Sequence, residues 1–208
     1  VELTDVIFTE VTINPQAGYL STEVEGGDTW CVDETYSGNF RDYAGAGDAV
    51  PELTAPDQTG ADYSLSSMLG TMGVIVFNAG DWCPPCEEVS ATHEALWLEM
   101  READDRYDVS FVEVLISNDD GETADQDDAA AWAERFGMTY PVLHGDVVGE
   151  YFDLYIGGYW VPAFWIVDPL GQIRTWEWGV GELTADKVHE HFEAFLAENP
   201  DWTRDSDG

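Results

Sequence analysis

VIVFNAGDWCPPCEEV, residues 74–89, joins three kinds of sequence without a break. The apolar run GVIVFNA (73–79) has the composition of a strand covered on both faces. It runs directly into a cysteine pair, Cys83 and Cys86, with Pro84 and Pro85 between. After the pair, EEVSATHEALWLEMREA reads as a long helix with Val89, Leu96, Trp97 and Met100 on one side and acids on the other. Buried strand, reactive turn, helix: the question is what two cysteines at that junction do.

The sequence on either side continues the pattern. LTAPDQTGADYSL (53–65) predicts a short hairpin turning at Thr59-Gly60, and Ser66 to Leu69 a helical turn. VSFVEVLIS (109–117) is a second buried strand. Thr123, with Gln126 three residues on, is the expected N-cap of a helix running through Ala129, Trp132, Ala133 and Phe136 to a stop at Gly137. A short strand in YPVLHGD (140–146), a helix in 147–157, strands in WVPAFWIVD (160–168) and QIRTWEWG (172–179), and a last helix opened by Thr184 complete the series. The last helix carries Val188, Phe192, Phe195 and Leu196 on one side. This alternation describes an α/β fold with a central mixed β-sheet and helices on both faces. The domain occupies 49–197, with a frayed acidic tail at 198–208. Residues 1–48 are an N-terminal extension: LTDVIFTEVTI is strand-like, and 18–50 is Gly- and Asp-rich, low in helix, its Trp30, Tyr36, Phe40 and Tyr43 packing it on the body.

Three chemistries are open to the cysteine pair. A structural zinc site needs four ligands, whereas here one pair stands alone, with Cys31 far upstream and His93, His144, His189 and His191 dispersed. No metal or other cofactor is therefore expected. A disulfide across two residues closes too small a loop to constrain the unfolded chain much, so it is a poor staple. Reactivity fits best. The first turn of a helix presents unpaired N–H groups and the positive end of the dipole, both favouring a thiolate. Prolines are tolerated there because first-turn N–H groups have no helical acceptor. Cys83, at the exposed edge, is the expected nucleophile, and Cys86, one turn in, the shielded resolving thiol. Trp82, with Pro84 and Pro85, then forms an apolar rim on which a partner rests; the plain alternative for Trp82 is a core tryptophan.

These segments resemble the thioredoxin superfamily, and within it the TlpA/ResA-like extracytoplasmic branch that shades into the AhpC/TSA group. The likeness rests on VPELTAPDQTG, VIVFNAGDWCPPCEEV, FVEVLISND, FGMTYPVLHGD and WVPAFWIVDPLGQI, over about residues 49–197. It implies a thioredoxin-like fold and reversible thiol–disulfide exchange with an exported protein, together with a thiol donor or acceptor protein that resets the pair. It also implies that Pro162 is a cis-proline facing the cysteines, and that Val161 offers its backbone to an extended peptide of the partner. The chain departs from the resemblance in two places. Phe77 stands where thioredoxin-type chains often carry an acid, and Val89 where ResA-like proteins carry a glutamate. Asp81, Glu87 and Glu88 also oppose a thiolate at Cys83. The resemblance favours a reductant, and a destabilised pair would favour an oxidase. Two rival functions share the framework. A peroxiredoxin-like peroxidase needs Thr or Ser three residues before its cysteine, where this chain has Gly80, and an arginine at the site, where only Arg174 on a later strand offers itself. A non-catalytic interaction module would keep the fold with an inert pair.

Charge narrows the partners. Forty-three acidic residues against seven basic give a formal −36, which excludes nucleic-acid backbone binding and docking on an anionic membrane face. A solvated surface suited to high salt is the simpler account, attraction of a basic partner the other. SNDDGETADQDD (117–128) lacks the alternating ligand pattern of a calcium loop. No apolar run reaches the 18 residues of a membrane span. The sequence begins at Val1, so a preceding segment, an anchor included, is expected to have been removed or to lie outside it. Export is the expectation, and an odd third cysteine, Cys31, should then be buried or linked between chains and separate from the redox pair. Self-repulsion at −36 should weaken the fold at low ionic strength. Raising NaCl from 10 mM to 1 M, where the Debye length falls to about 3 Å, should raise the Tm, with most of the gain by about 0.5 M. A flat melting curve over that range would show the carboxylates to be compensated.

Overall fold

The computed structural model describes residues 43–80, 82–103, 106–156 and 161–203, and the backbone of six short strands before them. The chain divides into two units, Val1–Asp42 and Tyr43–Gly208. In the first, β1 (Glu2–Leu3), β2 (Val6–Thr9), β3 (Val11–Asn14), β4 (Leu20–Glu23), β5 (Thr29–Val32) and β6 (Tyr36–Ser37) form nested antiparallel pairs, β1 with β6, β2 with β5 and β3 with β4. The stretch 3–13, expected to be strand-like, carries β2 and β3, and the segment 18–50, expected to be irregular, contains the three short strands β4, β5 and β6. The Thr and apolar residues of TWCV suit a ladder better than its Gly- and Asp-rich surroundings suggest. The expected packing of Trp30, Tyr36 and Phe40, and the burial of Cys31, concern side chains outside the described residues. Tyr43, the fourth of those aromatics, is exposed.

The second unit begins earlier than the expected residue 49. Ala44 N–H donates to Tyr155 O, Gly47 N–H to Ile173 O and Ile173 N–H to Asp48 O, so 44–48 belong to this body. A hairpin follows, β7 (Thr54–Pro56) and β8 (Asp62–Ser64), whose turn is held by Asp57 accepting from Thr59 and Ala61 N–H, and a 3-10 turn covers Leu65–Met68.

β9 (Met72–Asn78) is buried at all seven positions. It is the middle strand of a five-stranded sheet completed by β10 (Val109–Leu115), β11 (Val142–Leu143), β12 (Ala163–Val167) and β13 (Ile173–Trp178), in the order β11-β10-β9-β12-β13. β9, β10 and β11 are parallel; β12 is antiparallel to both neighbours. Alternation along β9 divides the core. Val74 and Val76 face α1 (Pro84–Ala103), α2 (Gln126–Phe136) and α4 (Ala185–Glu198); Ile75 and Phe77 face α3 (Asp146–Tyr155). Two parallel crossovers moving the same way across the sheet place α1 and α2 on one side by their common right-handedness. The expected α/β architecture, a mixed sheet with helices on both faces, is the observed one.

Local signals set the helix ends. α2 starts two residues later than expected: Asp125, not Thr123, is the N-cap, and Asp125 and Asp128 form a reciprocal capping box. Asp125 Oδ1 accepts from both Asp127 and Asp128 N–H, and Asp128 Oδ2 accepts in return from Asp125 N–H (2.9 Å), so both members of the box are carboxylates. Gly137 ends the helix in the left-handed conformation (φ 67°), and Thr184 caps α4 as expected. Both sheet edges are partly covered. At β11, the Gln58 amide imitates a strand, donating to Tyr140 O (3.0 Å) and accepting from Val142 N–H (2.8 Å). At the start of β13, residues 47–50 pair with 171–173.

The tail is not frayed up to Thr203. Trp202 packs edge-on against Phe192 and Phe195, ring centroids 5.8 and 5.4 Å away, because burying an indole outweighs the entropy of a short turn. Trp202→Ala should therefore destabilise the fold by about 2 kcal/mol, less than the 3–5 kcal/mol of a fully buried tryptophan. The corresponding drop in Tm is about 5 °C. An unchanged Tm would return the tail to solvent.

Candidate active site

β9 ends at Asn78, and the chain turns through Gly80 into the first turn of α1. The turn is tight for a steric reason. A Cβ at Gly80 would stand 2.5 Å from the Asn118 carbonyl carbon and 2.7 Å from Asp119 N, so the loop after β10 closes directly onto glycine backbone. Cys83 N–H donates to Gly80 O (2.9 Å), and Cys86 N–H to Cys83 O (2.9 Å), which winds the helix from the first cysteine onward. Pro84 and Pro85 occupy its exposed first positions, where no N–H is required.

Cys83 and Cys86 form a disulfide, S–S 2.09 Å and Cα–Cα 5.3 Å. Both are less accessible than a surface bridge: Cys83 is 4 % exposed and Cys86 wholly buried. Cys83 is more accessible than Cys86, as expected, but it does not sit at an exposed edge: both cysteines are buried, and the backbone of Val161 stands against the first sulfur. Cys83 Sγ lies 3.9 Å from Val161 O, at the cis peptide Val161–Pro162. Pro162 is buried and its carbonyl accepts from Gly179 N–H (2.9 Å), fixing the loop that faces the disulfide. Trp82 is 47 % exposed, with its indole N–H donating to Ser117 Oγ (3.1 Å), so it is a tethered surface ring and no core tryptophan. Trp82, Pro84, Pro85, Val161 and Pro162 thus all surround the bridge. Asp81 lies outside the described residues.

The acids near the pair are partly answered. Glu87 is ion-paired with Arg135 of α2 at 2.7 Å, which offsets the expected opposition to a thiolate, though an exposed pair contributes little to stability. Arg174 is held away from the cysteines, by two 2.8 Å hydrogen bonds to Glu198 and one of 3.5 Å to Asp168. Burial costs this guanidinium less than the Glu198 bonds return, and its pKa is raised. No cluster of three His, Cys, Asp or Glu suited to a metal occurs among the described residues. No helix among them is long and apolar enough to cross a membrane.

The sequence reading missed a polar cluster beneath the motif. Glu113, in the middle of β10, is wholly buried. Its Oε1 accepts from Asn78 Nδ2 (2.8 Å), Ser90 Oγ (3.1 Å) and Trp132 Nε1 (2.6 Å). Its Oε2 accepts from the Tyr140 hydroxyl (3.4 Å) and stands 3.5 Å from His93 Nδ1. Burial, reinforced by Glu113 and Glu94, pushes the Tyr140 phenol far above its ordinary range, so it stays a donor. The signal was present: a glutamate inside the apolar run VSFVEVLIS, and Ser90 and His93 four and seven residues after Cys86, on its side of the helix.

Comparison with known proteins agrees with this fold. Similar solved structures include a thiol:disulfide interchange protein DsbE from Chlorobium tepidum, 22 % identical over 74 % of this chain and 99 % of that one, TM-score 0.56. They include StoA from Bacillus subtilis, 21 % identical over 70 % and 99 %, TM-score 0.51. A peroxidoxin BcpB from Mycobacterium tuberculosis, 21 % identical over 75 % and 98 %, has TM-score 0.54. At such identities the likeness establishes the thioredoxin-like fold. Among curated proteins there is no significant match. The AhpC/TSA family model matches residues 46–176, from the first edge-covering segment to the middle of β13 and across both cysteines, and the chain belongs to the AhpC/TSA family.

Proposed function

We propose that the protein is a thiol–disulfide oxidoreductase of the TlpA/ResA-like kind, which reduces disulfides of exported proteins through Cys83 and Cys86. The observation that carries this reading is the disulfide at the start of α1 with Cys83 Sγ 3.9 Å from the Val161 carbonyl. A redox bridge and the backbone carbonyl before a cis-proline stand side by side, and exchange with a polypeptide requires both a sulfur to attack and backbone groups on which the partner can dock. Cys83 attacks, being the less buried thiol at the dipole's positive end, and Cys86 resolves. Trp82, Pro84 and Pro85 supply the apolar rim and Val161 and Pro162 the backbone platform. A second thiol protein, outside the cytoplasm, restores the dithiol.

Family membership alone leaves room for a peroxidase, because fold and reaction are separable. Two observations weigh against it. The loop after β10 leaves no space at Gly80 for a threonine or serine. Arg174 is committed to Glu198 and Asp168 instead of the cysteines.

Trapping tests the assignment. Reduced Cys86→Ala should accumulate mixed disulfides with a disulfide-bonded protein substrate, resolved on non-reducing gels, while Cys83→Ala accumulates few. The reverse pattern would exchange the two roles. A wild-type pair inert toward protein disulfides and dithiols would leave an interaction module, and rapid second-order peroxide consumption would indicate the peroxidase.

A further inference from the structure

Within the exchange reaction proposed above, the resolving step poses a chemical problem. The thiolate, not the thiol, attacks a disulfide, yet Cys86 is wholly buried in surroundings that favour the neutral form. Its proton has to reach a base inside the protein. Two carboxylates are buried among the described residues, Glu113 and Asp168. Asp168 follows β12 at the end of the sheet remote from the cysteines and is occupied by the Leu170 and Gln172 N–H groups and Arg174. Glu113 is joined to the cysteine helix itself.

The connection runs through Ser90, one helical turn from Cys86 on the same face, where i and i+4 side chains are neighbours. Ser90 Oγ donates to Glu113 Oε1 at 3.1 Å and accepts from Asn78 Nδ2 at 3.0 Å, which leaves its hydroxyl a second lone pair for a thiol proton. Asn78 Oδ1 is buried with no hydrogen-bond partner among the described residues while the pair is oxidised, a further acceptor within the same network. On the far side of the carboxyl, His93 stands 3.5 Å from Oε2. His93 also lines, with Val89, Pro162 and Leu183, a cavity of about 40 Å³, enough for one water. A row of exchangeable groups, Ser90, Glu113 and His93, therefore leads from the helical turn that follows the resolving cysteine to the loop at Pro162.

We infer that Glu113 accepts the Cys86 proton by way of Ser90, and that His93 passes it to solvent beside Pro162. When Cys83 is bonded to the partner, the Cys86 S–H proton moves to Ser90 Oγ as the Ser90 proton moves to Glu113. The Cys86 thiolate then forms the Cys83–Cys86 bond as the Cys83–partner bond breaks. The partner sulfur leaves as a thiolate and is protonated from water at the mouth of the site; Glu113 returns its proton through His93. Two electrons pass from the dithiol to the partner, and no net proton is gained or lost. Glu113 acts here through Ser90 on Cys86, and its contribution is confined to the second of the two exchanges.

That confinement gives the test. Reduced protein mixed in stopped flow with 5,5′-dithiobis(2-nitrobenzoate) releases one thionitrobenzoate as Cys83 attacks and a second as Cys86 resolves. About 1 M NaCl allows the dianionic probe to approach a −36 protein. Glu113→Gln keeps the shape and most of the donors' partners; it should leave the first phase within about twofold and slow the second by tenfold or more, at the low end of what a general base contributes. Ser90→Ala should slow the same phase and decides alone if Glu113→Gln fails to fold. An unchanged second phase, or both phases slowed alike as a purely packing role requires, would overturn the assignment. A wild type that releases no thionitrobenzoate at all would instead overturn the exchange reaction, and this relay with it.

Discussion

The structure depends on covering one strand. β9 is apolar on both faces and buried along its whole length, so it cannot be an edge and cannot leave either side to water. Covering it demands neighbours on both sides and helices above and below, and the rest of the body supplies them: β10 and β12 beside it, α1, α2 and α4 over Val74 and Val76, α3 under Ile75 and Phe77. Because the strand is central, its carboxyl end opens where the chain changes direction. The cysteine pair sits at that reversal, with its sulfurs anchored in the core and their mouth toward Val161.

This placement was legible from the sequence because β9 and the motif are contiguous and their signals are local. Periodicity gives the helices, the apolar run gives the strand, and WCPPC marks the helix start. Pro162 and Val161 came from the resemblance, since residues nearly 80 positions apart along the chain carry no local sign that they will meet. Edges were less legible. Asp125 displaced Thr123 as a cap because two carboxylates could reciprocate, and Trp202 held a segment whose composition reads as free. In the first unit the strand character of 3–13 was legible, while β4, β5 and β6 were missed because such short strands leave a weak pattern between glycines and acids.

Glu113 is the instructive omission. In VSFVEVLIS it interrupts an apolar alternation, and a buried carboxylate is costly unless donors converge on it. They do, but from β9, α1, α2 and the approach to β11. Each donor is unremarkable in its own segment, as an asparagine at a strand end or a serine on a helix. Their convergence is a property of the tertiary arrangement, and its trace in the sequence was one anomalous glutamate and two polar residues on the Cys86 face of the helix.

The partly covered sheet edges bear on how the protein stays dispersed. A molecule of charge −36 is kept apart from its copies by repulsion only while the solvent is dilute. In brine that repulsion shrinks to contact range, and an open strand edge would become a template for joining chain to chain. Gln58 plugs one edge with its own amide, and residues 47–50 occupy the start of the other, whose remainder bears the paired Arg174 and Glu177. Colloidal stability is thereby built into hydrogen bonding that salt does not screen, leaving the surface charge free to serve hydration.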